Sequence, residues 1–81
     1  MGSWFVYILE CFDGTFYTGV TNDMEGRLES HNKGVGAKYT RGRTPVVLRY
    51  SEKVGDRGVA LKREIEIKRM KRQVKRQLFK D

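Results

Sequence analysis

The side chains best suited to chemistry in this chain are few and ordered along it. Tyr7 and Tyr17 stand ten positions apart in a β-rich stretch, Arg27 and His31 follow four positions apart, and Glu64 lies in a later helical stretch. At i, i+4, Arg27 and His31 share one helix face, beside Met24 and Leu28. An arginine presents a planar fork matched to phosphate oxygens, and a histidine titrates near neutral pH. Each residue alone also has a plain structural reading. Tyrosines fill the half-buried rim of a small sheet, as Tyr50 is expected to do. Arg27 and His31 would make a surface pair, and Glu64 could simply pair with Lys68 one turn on. The exclusions are sharper. Cys11 is the only cysteine and makes no internal disulfide, and with a single histidine it cannot supply a four-ligand zinc site.

The elements that must position these residues are set by pattern. Trp4 to Cys11 is apolar on both alternating sets, which suits a strand in the middle of a sheet, and Thr15 to Thr21 is the returning strand. Asn22 or Asp23 caps a helix through about Asn32, stopped by Gly34, with Met24 and Leu28 toward the core. Residues 33–44 form a glycine-rich basic loop, and Pro45 admits a third strand from Val46 to about Ser51. Asp56 caps the next helix. From Val59 onward no glycine or proline occurs, and Leu61, Ile65, Met70, Val74 and Leu78 recur at three to five residues, predicting one long helix or two with a bend near Met70. The expectation is an α+β domain over residues 1–81, with a three-stranded antiparallel sheet flanked by helices in the order ββαβα(α).

At 81 residues, with 33% charged and 38% hydrophobic, the chain is globular with one small core. Its net charge of +7 is unevenly placed. Residues 1–30 carry five acids against Arg27 alone, whereas the remainder is strongly basic, an asymmetry that points to a polyanion and most simply to nucleic acid. No apolar run approaches the ~20 residues of a membrane span, and no basic-then-apolar leader opens the chain, so a cytoplasmic setting is expected.

Taken in order, these features resemble the GIY-YIG nuclease family. Phe5-Val6-Tyr7 stands as a degenerate first motif and Tyr17-Thr18-Gly19 as the second. The runs Arg27-Leu28-xx-His31-Asn32, Gly36-Ala37-Lys38-Tyr39-Thr40-Arg41 and Ala60-Leu61-Lys62-Arg63-Glu64 are similar to the small stand-alone bacterial single-domain branch. The resemblance runs from about Trp4 to Arg76. It implies that Tyr7 and Tyr17 sit at the scissile phosphate, that Arg27 holds that phosphate, and that His31 lies near the nucleophilic water. It makes Glu64 the sole carboxylate for a divalent metal, Mg²⁺ or Mn²⁺, and DNA the expected partner. Lys33, Lys38, Tyr39, Arg41 and Arg43 of the loop, with Lys68 and Arg72 of the tail, would contact the backbone in a largely sequence-blind way.

Physical chemistry accords with these roles. Phosphodiester hydrolysis needs an activated water and neutralisation of developing charge. One carboxylate with substrate oxygens and waters suits Mg²⁺. A free phenol ionises near pH 10, so a tyrosine base needs a partner for its proton; His31 is that partner or is itself the base. Two departures stand out: Val20 follows the second motif's glycine where some relatives carry lysine, and a later asparagine of the wider family has no clear match. They keep open an alternative, a non-catalytic nucleic-acid-binding module on the same scaffold.

The same chemistry predicts the hairpin register. A two-residue Asp13-Gly14 turn would pair Tyr7 with Val20 and send Tyr7 and Tyr17 to opposite faces. A three-residue loop, Phe12-Asp13-Gly14, with Gly14 in the left-handed conformation, pairs Cys11 with Thr15, Leu9 with Tyr17 and Tyr7 with Gly19. Both tyrosines then share a face, and Gly19 leaves room for the phenol and a phosphate.

Overall fold

A computed structural model describes residues 3–79. The elements are β1 (Trp4–Glu10), β2 (Phe16–Thr21), α1 (Met24–Asn32), a 3-10 turn (Lys38–Thr40), β3 (Val47–Gly55), α2 (Arg57–Lys68) and α3 (Arg72–Leu78). The sheet runs β2-β1-β3, with both pairings antiparallel, so β1 is the central strand, as its two-sided apolar pattern requires.

The β1–β2 hairpin closes through three loop residues. Cys11 N–H donates to Thr15 O at 2.8 Å, Gly14 N–H donates to Cys11 O at 2.9 Å, and Gly14 has φ +84°. Asp13 Oδ1 accepts from the Thr15 amide at 3.1 Å and from its hydroxyl at 2.7 Å, an Asx turn that fixes the loop. The resulting register opposes Tyr7 with Gly19 and Leu9 with Tyr17. The two-residue alternative is excluded.

Alternation along β1 divides the core in two. Val6 and Ile8 pack with Ala60 and Ile67 of α2, joined by Phe16, Val20, Met70, Leu78 and Phe79. Tyr7 and Leu9 face the other way, with Cys11 and Val46, under Met24 and Leu28 of α1 and beside Tyr17. Asp23 caps α1 by accepting from the Gly26 amide at 3.2 Å, and Asp56 caps α2 by accepting from the Val59 amide at 3.0 Å. Asn32 anchors the far end of α1 to the start of β3: its Oδ1 accepts from Val46 N–H at 2.7 Å and its Nδ2 donates to Val46 O at 3.2 Å.

One boundary and one face differ from the sequence expectation. β3 continues through Glu52 and Lys53 to Gly55, because an edge strand with one solvated face accepts charged residues at alternate positions. The C-terminal region takes the second of the two forms expected, two helices, with the break at Arg69–Lys71 around Met70. The buried face of α2 is carried by Ala60 and Ile67, whereas Ile65 is 51% and Val74 46% exposed. Of the apolar stripe, Leu61 is partly buried and Met70 and Leu78 pack on the core, whereas Ile65 turns outward and Arg63 and Glu64 are partly buried with partners. Arg63 Nε donates to Glu52 Oε2 at 2.9 Å, and Glu64 pairs with Lys68 at 3.2 Å.

Candidate active site

The central object is a chain of hydrogen bonds beneath the hairpin. Tyr7 Oη lies 2.9 Å from His31 Nε2, and His31 Nδ1 lies 2.7 Å from Thr40 Oγ1. Thr40 also donates its hydroxyl proton to Ala37 O at 3.0 Å. A hydroxyl has one proton to give, so Thr40 accepts from His31 Nδ1–H. That assigns the tautomer: Nε2 is the acceptor, and the Tyr7 phenol donates to it. His31 is fully buried, in place of the surface pairing that its spacing with Arg27 suggests. Burial, and then the positive Arg27, push its pKa down to about 4, so the imidazole is neutral at physiological pH.

Backbone clearance makes the chain of bonds fit. A Cβ on Gly19 would lie 2.6 Å from Tyr7 Oη and 2.7 Å from Cζ, so the space opposite Tyr7 is occupied by the phenol itself. A Cβ on Gly36 would lie 2.6 Å from His31 Nδ1, which is why the loop can close over the imidazole toward Thr40.

Around this core the other expected residues assemble. Tyr17 is half-buried, its ring centroid 6.3 Å from Tyr7 and 5.3 Å from His31. Burial raises the Tyr7 pKa, and the Arg27 guanidinium beside it pulls the other way; Tyr17 and the Glu64 carboxylate add small upward pushes. Arg27 is held against both phenols, which favour its charged form. Glu64 comes from α2, which packs on the opposite layer of the sheet; its side chain is 17% exposed and pairs with Lys68. Tyr7, Tyr17, Arg27 and His31 are therefore brought to one place, and no hydrogen bond or ring contact among the described residues ties Glu64 to them.

Among the described residues no three His, Cys, Asp or Glu side chains converge as a metal cage. Glu64 alone could serve a hard divalent ion only as one ligand among waters and oxygens from elsewhere. On the strand face covered by α2, Thr18 Oγ1 is buried without a hydrogen-bond partner, a further oxygen donor next to the second motif's tyrosine and glycine.

The basic residues divide by engagement. Lys38 and Arg41 are exposed and form no ion pair among the described residues. Lys33 pairs with Glu29 at 3.4 Å on the surface. Arg43 is an internal tie: Nε donates to Asp13 Oδ2 at 2.9 Å, NH1 donates to Tyr39 O at 2.7 Å, and the guanidinium lies 4.2 Å over the Tyr39 ring. Tyr39 in turn stacks on Tyr17, 5.9 Å between centroids. Lys68 holds Glu64, and Arg72 lies 4.0 Å over Phe16. Sequence reasoning assigned no role to Thr40, Gly36 or Asn32. Their contacts span a loop or join a helix end to a strand, and residue spacing carries no signal of such contacts.

The family model described as the GIY-YIG catalytic domain matches residues 3–77. The chain is 53% identical over 74 residues to a UPF0213 protein of Halobacterium salinarum, covering 91% of this chain and 96% of that one. It is 52% identical over 81 residues to a UPF0213 protein of Staphylococcus aureus, covering 100% and 99%. Among solved structures, the solution NMR structure of a UPF0213 protein from Bacillus halodurans superposes with TM-score 0.59 at 45% identity, over 94% of this chain and 81% of that one. The solution NMR structure of a protein from E. faecalis superposes with TM-score 0.65 at 43% identity, over 95% of this chain and 82% of that one.

Proposed function

The chain belongs to the GIY-YIG family, and from that premise we propose that it is a metal-dependent endonuclease that hydrolyses phosphodiester bonds in DNA, selecting structure rather than sequence. The observation that carries the proposal is the Tyr7 phenol donating to a neutral, buried His31, with Arg27 beside it. A phenol is too weak an acid to serve as a base unaided, but one already bonded to an empty imidazole nitrogen has a route for its proton. As water attacks phosphorus, its proton passes to the Tyr7 oxygen while the Tyr7 proton moves to His31 Nε2. His31 is thus the proton acceptor and Tyr7 the group that meets the water. Arg27 orients the phosphate oxygens and offsets their growing charge. Glu64 would hold the divalent cation, Mg²⁺ or Mn²⁺, whose chemistry is to neutralise the pentavalent phosphate and the leaving oxygen.

Tyr7 has no exposed surface. Substrate therefore reaches it only if groups around it give way. That burial is also what favours the second reading, a nucleic-acid-binding module without catalysis. Incubation with branched, flapped, single-stranded and duplex DNA and RNA, in Mg²⁺, Mn²⁺ or EDTA, separates the two. Metal-dependent cleavage is expected, lost in Glu64→Gln while DNA affinity in EDTA stays unchanged. A Glu64→Gln protein that cuts like the parent in Mg²⁺ removes the metal assignment, and binding without cleavage by the parent selects the module.

A further inference from the structure

Phe12 is the most exposed large apolar side chain among the described residues, at 77%, and it sits at the hairpin tip, where polar residues and glycine are usual. It adds nothing to either core, yet its backbone is held firmly. Its amide donates to Arg43 O at 2.8 Å, the adjacent Asp13 takes Arg43 Nε at 2.9 Å, and the loop is closed by the Asx turn and Gly14. The hairpin tip and the basic loop are thereby riveted into one surface.

That surface continues the site. From the buried phenol outward, planar groups succeed one another: Tyr7, then Tyr17 at 6.3 Å, Tyr39 at 5.9 Å from Tyr17, and the Arg43 guanidinium at 4.2 Å from Tyr39. Tyr39 is already engaged by Tyr17 and by Arg43. Phe12, beside Arg43, is the aromatic at the outer end whose surface is free. Lys38 and Arg41, flanking Tyr39 in sequence, are exposed and form no ion pair among the described residues.

We propose that Phe12 is a stacking platform for an unpaired nucleobase of the substrate, so that the protein engages single-stranded, flapped or junction DNA next to the cleaved phosphate. The inference rests on the nucleic-acid reading given above and specifies its substrate class. The ligand that matches an apolar plane among free cations is a flat ring carried on a phosphate chain. Bases inside a duplex are stacked on both sides and offer no face, so the occupant is a base outside a helix interior.

The test is fluorescence anisotropy in EDTA, which separates binding from cleavage, with three labelled DNAs: a single strand, a duplex bearing a single-stranded flap, and a blunt duplex. Phe12→Ala, whose thermal midpoint should match the parent because the side chain is exposed, is expected to bind the strand and the flap about tenfold more weakly and the blunt duplex equally well. Phe12→Trp should restore the loss. Equal weakening on all three DNAs, or no weakening, overturns the proposal while leaving the nucleic-acid reading intact. A parent protein that binds none of them overturns both. An affinity for an acidic peptide that competes with the flap and depends on Phe12 shows a protein partner in place of the base and overturns the proposal too.

Discussion

The two faces of β1 are equally buried and differently built. Val6 and Ile8 meet α2 in an apolar contact, where Ala60 and Ile67 contribute no polar atom. Tyr7, one residue away on the opposite face, enters a row of polar groups. Among these the Tyr7 hydroxyl, both His31 nitrogens and the Thr40 hydroxyl are partnered. The apolar side, by contrast, holds a buried hydroxyl with no partner, on Thr18. A buried polar group costs roughly 1–3 kcal/mol when orphaned, so the partnered row beside Tyr7 is held at less cost per atom than the lone Thr18 hydroxyl. The difference teaches that burial does not distinguish scaffold from site in this fold. What distinguishes them is whether the buried atoms can exchange a proton.

The sharpest way to break this comparison is to remove one atom from the site face. Tyr7→Phe deletes the phenolic oxygen and strands His31 Nε2, so it should lower the cleavage rate at least 10²-fold and stability by about 1–3 kcal/mol. Tyr17→Phe should cost less in rate, since Tyr17 has no hydrogen bond to the imidazole. Single-turnover cleavage with both variants decides the matter. If Tyr17→Phe is the more damaged enzyme, the half-exposed phenol is the base and the chain through His31 is merely structural.

The complementary change is on the apolar face. Ile67 is wholly buried against Val6 and Ile8. Ile67→Ala should lower unfolding free energy by about 2–4 kcal/mol, measured in urea, through lost transfer energy and the cavity left behind. The rate per folded molecule should be unchanged. A large fall in that rate, with the protein shown folded, would mean that packing under α2 sets the position of Glu64, and the two faces would not be separable.

Local rules made much of this legible. Asp23 and Asp56 precede helices and cap them through their side chains. Gly14, after Phe12-Asp13, gave the loop length and so the register that puts both tyrosines on one face. Legibility failed where partners are distant in sequence. Thr40 reaches His31 across nine positions, and nothing in a threonine's surroundings announces that it will orient an imidazole. On α2 apolar periodicity fails at Ile65, which is exposed, while Arg63 and Glu64 are partly buried because ion pairs hold them. Gly19 was legible as a close approach, but its neighbour is the Tyr7 phenol, so any Cβ there meets a group pinned by His31.

The smallest expected effect tests the site face without altering the protein. His31 is the only histidine in the chain, so its imidazole proton resonances are unambiguous. Buried beside Arg27, it should titrate near pH 4, well below the ordinary 6.5. A depressed pKa means that the unfolded chain takes up the proton first. The associated stability is complete above about pH 6.5 and is lost as pH falls toward 4. Between pH 7 and pH 5.5 the loss should be about 1 kcal/mol. Asp13 and Glu52 also have lowered values, but they start from 3.8 and 4.5, so their contribution fades at lower pH and does not imitate this one. NMR titration supplies the decisive reading. A midpoint near 6.5 would mean that the imidazole is open to water, that Thr40 and Tyr7 do not hold it on both sides, and that the neutral proton acceptor on which the proposed mechanism depends is absent.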